Sequence, residues 1–275
     1  MRSPIMIEGV LKKRRKGVPQ GSPLSPLLSN ILLHELDKEL ERRGHRYVRY
    51  ADDFSIYVRS EKASRRVGNG IYKYLRDRLC LPINREKSGV RRPMNFSLLG
   101  YSFVPSYQKG IRGKYQLVVS RKSWDKLKAE LKAITRKTIP MPFDERIQRL
   151  NRLIRGWVNY FKLASIHMKL KKLDEWIRNR LRCCIWHALK KPERKRKNLI
   201  RLGVNQNMAY AWSRSRMGNW AIAQSPILGN TITVARLKSR GVMSMQKYHQ
   251  QIRPGLMNRP VEFAGNLIRE DPYAG

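Results

Sequence analysis

The chain has 275 residues, enough to bury a sizeable core and to fold as two units. Its 59 Lys and Arg against 20 Asp and Glu leave a formal net charge of +39, which points to a polyanion as partner. With 41% hydrophobic residues and six Trp, the composition excludes a coreless basic tail. Residues 1–121 carry 26 basic and 10 acidic side chains and residues 122–275 carry 33 and 10, so both halves are expected to touch nucleic acid. Cys80, Cys183 and Cys184 offer neither a disulfide framework nor a CxxC pair for zinc. No apolar run approaches a membrane span and residues 1–10 lack a secretory core, so a reducing, cytoplasmic setting is expected.

In chain order, residues 5–7 and 10–11 read as a short hairpin leading into a basic run, Lys12, Lys13, Arg14, Arg15 and Lys16, suited to a phosphate backbone. Gly17 to Ser22 form a loop before a helix that Ser25 caps, Pro26 starts and Gly44 closes. Leu28, Ile31, Leu32, Leu36 and Leu40 are its expected apolar stripe, with Glu35, Lys38, Glu39 and Arg42 facing out. Gln20 in the loop is free to bond a base or sugar, or the loop is a plain helix-initiating turn.

Residues 46–50 and 54–59 alternate apolar and polar side chains, a hairpin whose tip carries Asp52 and Asp53. A rigid, partly covered tip with two adjacent carboxylates suits Mg²⁺, which takes one or two carboxylates and completes its shell with water and phosphates. Two such ions can clamp the attacking and leaving oxygens of a phosphoryl transfer. Equally, Asp is a good turn former and both acids can be nothing more. A helix over 60–79, a strand over 81–84 and a polar loop 85–88 follow, in which Lys87 either neutralises a departing phosphate or is a solvated lysine. Residues 96–103 and 116–119 read as two more strands, with Gly100 allowing close backbone approach.

From Ser123 the period turns helical. Trp124, Leu127, Leu131 and Ile134, then Ile147, Leu150, Ile154, Trp157 and Phe161, then Leu170, Leu173, Ile177, Leu181 and Cys184 form three stripes. The outer face of the third carries Lys171, Lys172, Arg178 and Arg182, and Arg194, Lys195, Arg196 and Lys197 extend that surface into a loop. Between residues 205 and 249, Tyr210, Trp212, Trp220 and Tyr248 interleave with Arg214, Arg216, Arg236, Lys238 and Arg240, a pattern that serves base stacking or a core. A helix start at Thr231 and a stop at Gly241 are expected, and residues 251–275 read as an irregular tail.

The order of these motifs resembles the palm of a reverse transcriptase: Pro19, Gln20 and Gly21 entering a helix, then Tyr50 to Asp53 on a hairpin, then Asn84 to Ser88, then Leu99 to Tyr101. Asn151, Arg155, Gly156, Trp157, Asn159 and Tyr160, followed by Leu173, Trp176, Ile177, Arg178, Arg180, Leu181 and Arg182, resemble the maturase-specific domain of group II intron reverse transcriptases. The resemblance implies an α+β class: a partial right-hand polymerase palm over residues 1–121, an antiparallel sheet with helices on one face, then an all-helical thumb and maturase domain over 122–250. It implies RNA-directed DNA polymerisation with Asp52 and Asp53 holding Mg²⁺, and Lys87 near the leaving pyrophosphate. Gln20, Gly21 and Tyr50 would lie beside nucleotide and template, and Leu99, Gly100 and Tyr101 would grip the primer. The implied partners are group II intron RNA, a DNA target or primer, and deoxynucleotides. In that family the fingers and a further metal-binding aspartate lie upstream of the glutamine–glycine loop, whereas residues 1–19 alone precede Gln20 here. An N-terminally truncated palm, completed by a fingers segment in trans, is therefore expected. The other readings are a non-catalytic RNA-binding maturase, a non-specific nucleic-acid coater and an inactive remnant.

Overall fold

The computed structural model describes residues 5–7, 10–12, 23–84, 86–105 and 115–253. Its packing divides into two units, residues 1–91 and 92–275. The division falls upstream of residue 122, where the sequence pattern turns helical; the strands just before that point pack within the second unit.

In the first unit β1 (Ile5–Ile7) and β2 (Val10–Lys12) pair antiparallel. Helix α1 (Ser25–Arg42) follows, with Pro26 in its first turn, where a missing N–H costs nothing. Ser25 is the first helical residue and Leu24 takes the cap position without a side-chain bond. Gly44, at φ +67°, ends the helix in the left-handed region that glycine enters freely. Strands β3 (Arg46–Tyr50) and β4 (Asp53–Tyr57) form a hairpin, and α2 (Glu61–Asp77) starts at Ser60, whose hydroxyl accepts from the Ala63 amide at 3.2 Å.

Leu33, Leu36 and Leu40 of α1 meet Ile71 and Leu75 of α2 in the core, with Tyr47, Phe54 and Ile56 packed against them. The expected stripe holds at its C-terminal end only: Leu36 and Leu40 are fully buried, whereas Leu28, Ile31 and Leu32 are exposed. At about 100° per residue, Leu27 and Ile31 lie on the side of α1 away from the core, with Leu28 and Leu32 on its flank. A helix apolar on two faces has no single readable stripe. Residues 81–84 are not a strand among the described residues. Pro82 lacks a donor for a ladder, and Leu81 and Ile83 instead lay their side chains against the α1–α2 core.

The second unit opens with a 3₁₀ turn (Pro93–Asn95) and a three-stranded antiparallel sheet, β5 (Ser97–Leu98), β6 (Tyr101–Pro105) and β7 (Tyr115–Val119). The palm-type region thus contains three small antiparallel sheets among the described residues rather than one continuous sheet. Helices α3 (Arg121–Ile134), α4 (Phe143–Tyr160) and α5 (His167–Ala188) follow, and their predicted stripes are buried, Ile134 and Trp157 in part. Then come α6 (Pro192–Arg201), α7 (Gln206–Ser213), α8 (Asn219–Gln224), α9 (Pro226–Thr231), α10 (Val234–Ser239) and α11 (Met245–Ile252). Arg194 to Lys197 lie inside α6, not in a loop, because Pro192 starts a helix readily. Thr233, not Thr231, caps α10, accepting from the Arg236 amide at 3.3 Å.

Two cores share α5. Leu170, Leu173, Ile177 and Leu181 join α3, α4 and Met245 of α11, while Cys183 and Trp186 join Leu199, Ala209, Ile222, Leu228 and Leu237. Polar side chains close the helix ends inside. Buried Arg146 donates to the carbonyls of Ile134, Arg136 and Ile139, satisfying the C-terminal end of α3 and the turn after it. Buried Asp174 accepts from the Ser244 hydroxyl at 2.6 Å and from the amides of Met245 and Gln246, capping α11 from a distant helix. No helix among the described residues is long and apolar enough to cross a membrane.

Candidate functional site

Tyr50 pairs with Asp53 across the first-unit hairpin, leaving Ala51 and Asp52 as a two-residue turn with Ala51 at φ +54°. Both Asp52 and Asp53 are exposed, not partly covered, and Tyr50 beside them is 61% exposed. Arg49 explains how the tip is held. Its guanidinium donates to both Asp37 oxygens, at 2.6 to 3.1 Å, to Asn30 Oδ1 at 3.0 Å and to the Ala51 carbonyl at 2.9 Å. The Asp37 partner raises the Arg49 pKa against the cost of burial. Arg49 is thereby turned toward α1, and neither tip carboxylate enters a described hydrogen bond or ion pair.

Two adjacent, unengaged carboxylates are hard oxygen donors of the kind that suits a divalent cation whose other ligands are water and phosphate. No group of three His, Cys, Asp or Glu side chains among the described residues converges to hold a metal. The pair therefore fits an ion shared with a substrate, not a closed protein cage.

Asn84 organises the loop after residue 83, its side-chain oxygen accepting from the amides of Glu86 at 3.0 Å and Lys87 at 3.2 Å. That turn presents Lys87 to solvent. Lys13, Arg14, Arg15, Gln20 and Gly21 lie outside the described residues, and Lys12 is described by its backbone alone.

In the second unit Leu99 and Gly100, at φ +51° and +79°, make the two-residue turn between β5 and β6. A side chain at Gly100 has no room: its Cβ would come within 2.7 Å of Ser123 Oγ and 3.1 Å of Phe161 Cζ. Burial pushes the Tyr101 hydroxyl up to about 12, with Tyr160 adding to the effect, so it stays a donor. It donates to the Tyr160 carbonyl at 2.5 Å, and the Tyr160 hydroxyl donates to the Leu99 carbonyl at 3.1 Å. The turn is thus locked to the end of α4.

The basic residues of α5 and α6 separate into two sets. Lys171, Lys172, Arg194 and Lys197 are exposed, and Arg178 is half-buried. Arg182 serves the fold instead, donating to the Ile232 carbonyl at 3.0 Å and to Asn179 Oδ1 at 3.0 Å, and desolvation lowers its pKa. Lys195 lies 4.7 Å over the Trp186 ring and Arg196 pairs with Glu193 at 3.5 Å. Of the interleaved aromatics, Trp212 packs on the second core, Trp220 is 39% exposed, and Tyr210 is 51% exposed beneath the Arg214 guanidinium at 3.8 Å. Sequence reasoning missed the Arg49–Asp37 clamp, since no local spacing links residues twelve apart on different elements.

Residues 6–103 match the reverse transcriptase (RNA-dependent DNA polymerase) family, and residues 124–203 match the group II intron maturase-specific domain. The chain carries a reverse transcriptase domain followed by a group II intron maturase-specific domain. The first match ends inside β6, past the boundary between units, so the reverse transcriptase domain contributes the β5–β6 turn to the body built around the maturase helices. Helices α7 to α11 lie beyond both matches. The retron Mx65 reverse transcriptase of Myxococcus xanthus is 36% identical over 98 residues, which is 33% of this chain. The matched stretch spans 23% of that relative's length.

Proposed function

We propose that the chain carries out RNA-directed DNA polymerisation on group II intron RNA and assists that intron's splicing. The presentation of Asp52 and Asp53 carries the reading: two exposed carboxylates on a rigid turn, with the neighbouring Arg49 engaged by Asp37. Asp52 and Asp53 would hold Mg²⁺, and the ion, when bound, supplies charge neutralisation for attack of a primer 3′ oxygen on the α-phosphate of a deoxynucleotide. Tyr50, exposed beside the tip, lies beside the nucleotide and template with Gln20 and Gly21, Gln20 bonding a base or sugar; Lys87 offsets charge on the departing pyrophosphate. Leu99, Gly100 and Tyr101 seat the primer strand on a turn that α4 keeps still. Lys171, Lys172, Arg178, Arg194 and Lys197 contact intron RNA.

The test is deoxynucleotide incorporation on primed intron RNA with Mg²⁺ present. Asp52→Asn and Asp53→Asn are each expected to lower incorporation by about 10² or more while RNA affinity stays within about twofold. Incorporation that ignores both substitutions sinks the polymerase reading.

A second reading, a maturase that grips RNA without polymerising, is favoured by one observation: the maturase match lies wholly within the second unit, apart from the acidic hairpin. Under it, Asp52→Ala with Asp53→Ala leaves splicing assistance intact. A large loss of splicing at unchanged RNA affinity argues against it.

A further inference from the structure

The turn at the tip of the β3–β4 hairpin holds a residue in a conformation it does not favour. Ala51 sits at φ +54° and opens the two-residue turn, a position where glycine or asparagine is usual and a β-carbon is crowded. Strain of this kind persists only where surrounding contacts over-determine it. The tie here is Arg49, whose Nη1 donates to the Ala51 carbonyl at 2.9 Å. The same nitrogen donates to Asn30 Oδ1 at 3.0 Å, and Nε and Nη2 hold both oxygens of Asp37 at 2.6 to 3.1 Å. One planar fork thus fastens the turn to two residues of α1, and the Arg49 and Asp37 side chains are only 15% and 14% exposed. Lysine carries the same charge on a single ammonium, which cannot grip the Asp37 carboxylate in two places and reach the Ala51 carbonyl at once.

We infer that Arg49 is a positioning residue for the cation site: by tying the Ala51 carbonyl to Asn30 and Asp37 it fixes how Asp52 and Asp53 leave the turn, and so sets the affinity of that pair for a hard cation. The inference rests on the reading of Asp52 and Asp53 as cation ligands. Charge and positioning make different demands. A guanidinium near two carboxylates competes with a bound cation, so charge alone has the loss of Arg49 tighten binding and its exchange for lysine change nothing. Positioning has the exchange for lysine weaken binding, because groups that orient metal ligands act through geometry.

The probe is Tb³⁺, a hard, oxygen-seeking ion whose emission is sensitised by a nearby phenol, and Tyr50, 61% exposed beside the acids, is the antenna. It is titrated into the full chain, with Mg²⁺ as competitor. Sensitised emission is expected to drop in Asp52→Asn with Asp53→Asn. Arg49→Lys is expected to raise the Tb³⁺ midpoint about tenfold, while emission at saturation stays at the native level because the chain is still folded. Adding Ala51→Gly to Arg49→Lys lets the turn form without its tie and is expected to recover about threefold of that loss. A native midpoint in Arg49→Lys overturns the positioning role. So does a lower saturating emission at an unmoved midpoint, which marks a merely structural contact, and so does a loss that Ala51→Gly leaves untouched, since the effect then does not pass through the turn. Emission that survives removal of both acids takes away the cation reading and this role with it; emission that needs the acids but not Arg49 takes away this role alone.

Discussion

Tyr101 and Tyr160 exchange hydrogen bonds between a strand and a helix: the Tyr101 hydroxyl donates to the Tyr160 carbonyl at 2.5 Å, and the Tyr160 hydroxyl returns to the Leu99 carbonyl at 3.1 Å. The two rings stack at 6.2 Å and both contact Phe161. Tyr160→Phe keeps the stacking and removes one bond, with an expected cost of about 0.5–1 kcal/mol in denaturant unfolding. Amide exchange over residues 97–102 should quicken more than elsewhere. Uniform quickening would mean that the bond does not hold the turn.

Gly100 is constrained twice, by backbone and by space. Gly100→Ala places a side chain at φ +79° and drives its Cβ into Ser123 and Phe161, an expected loss of about 2–4 kcal/mol. Gly203→Ala is the control, with φ +93° and nothing within 4 Å, so it carries the backbone cost alone, about 1–2 kcal/mol. Equal losses at the two positions, measured by thermal unfolding, would show that the close approach is unimportant.

Two kinds of aspartate sit near the hairpin tip. Asp37 is 14% exposed and bonded to Arg49, so Asp37→Asn is expected to destabilise by about 1–2 kcal/mol. Asp52→Asn, at an exposed residue with no described partner, should stay within about 0.5 kcal/mol of the native chain. Stability curves for the two variants distinguish a structural carboxylate from one left free for a ligand.

His249 is 1% exposed, its Nε2 faces the Lys162 carbonyl at 3.2 Å and its Nδ1 has no partner. Burial lowers its pKa below the ordinary 6.5, with Arg253 and His167 pushing the same way against the carbonyl bond. The unfolded chain therefore takes the proton first. Stability is full above about pH 6.5 and falls as pH drops below it. Denaturant midpoints at about pH 7.5 and 5.5 should differ, and His249→Gln should narrow the gap. An unchanged gap would assign the effect to other groups.

Where one face of an element is apolar and the other polar, local order was readable. The stripes of α3, α4 and α5 lie in or against the core as their spacing required, and the acidic hairpin and the left-handed Gly44 follow from side-chain alternation and glycine chemistry, whereas residues 96–103, expected as one strand, are broken by the Leu99–Gly100 turn. Helix α1 was misread because its leucines occupy two faces, and residues 81–84 because a strand needs a partner that alternation cannot supply.

Composition, period and motif order by themselves determined the α+β class and the place of the two acids on a hairpin, because each depends on residues near one another in the chain. Tertiary structure alone decided what the charges do. Arg146 and Arg182 look in sequence like Lys171 and Lys172, yet the former pair satisfies backbone carbonyls of distant segments while the latter faces solvent. Arg49 is withheld from Asp52 and Asp53 only because α1 brings Asp37 beneath the hairpin. A charge's role depends on which groups folding sets within a few ångströms of it, and those groups lie far away along the chain.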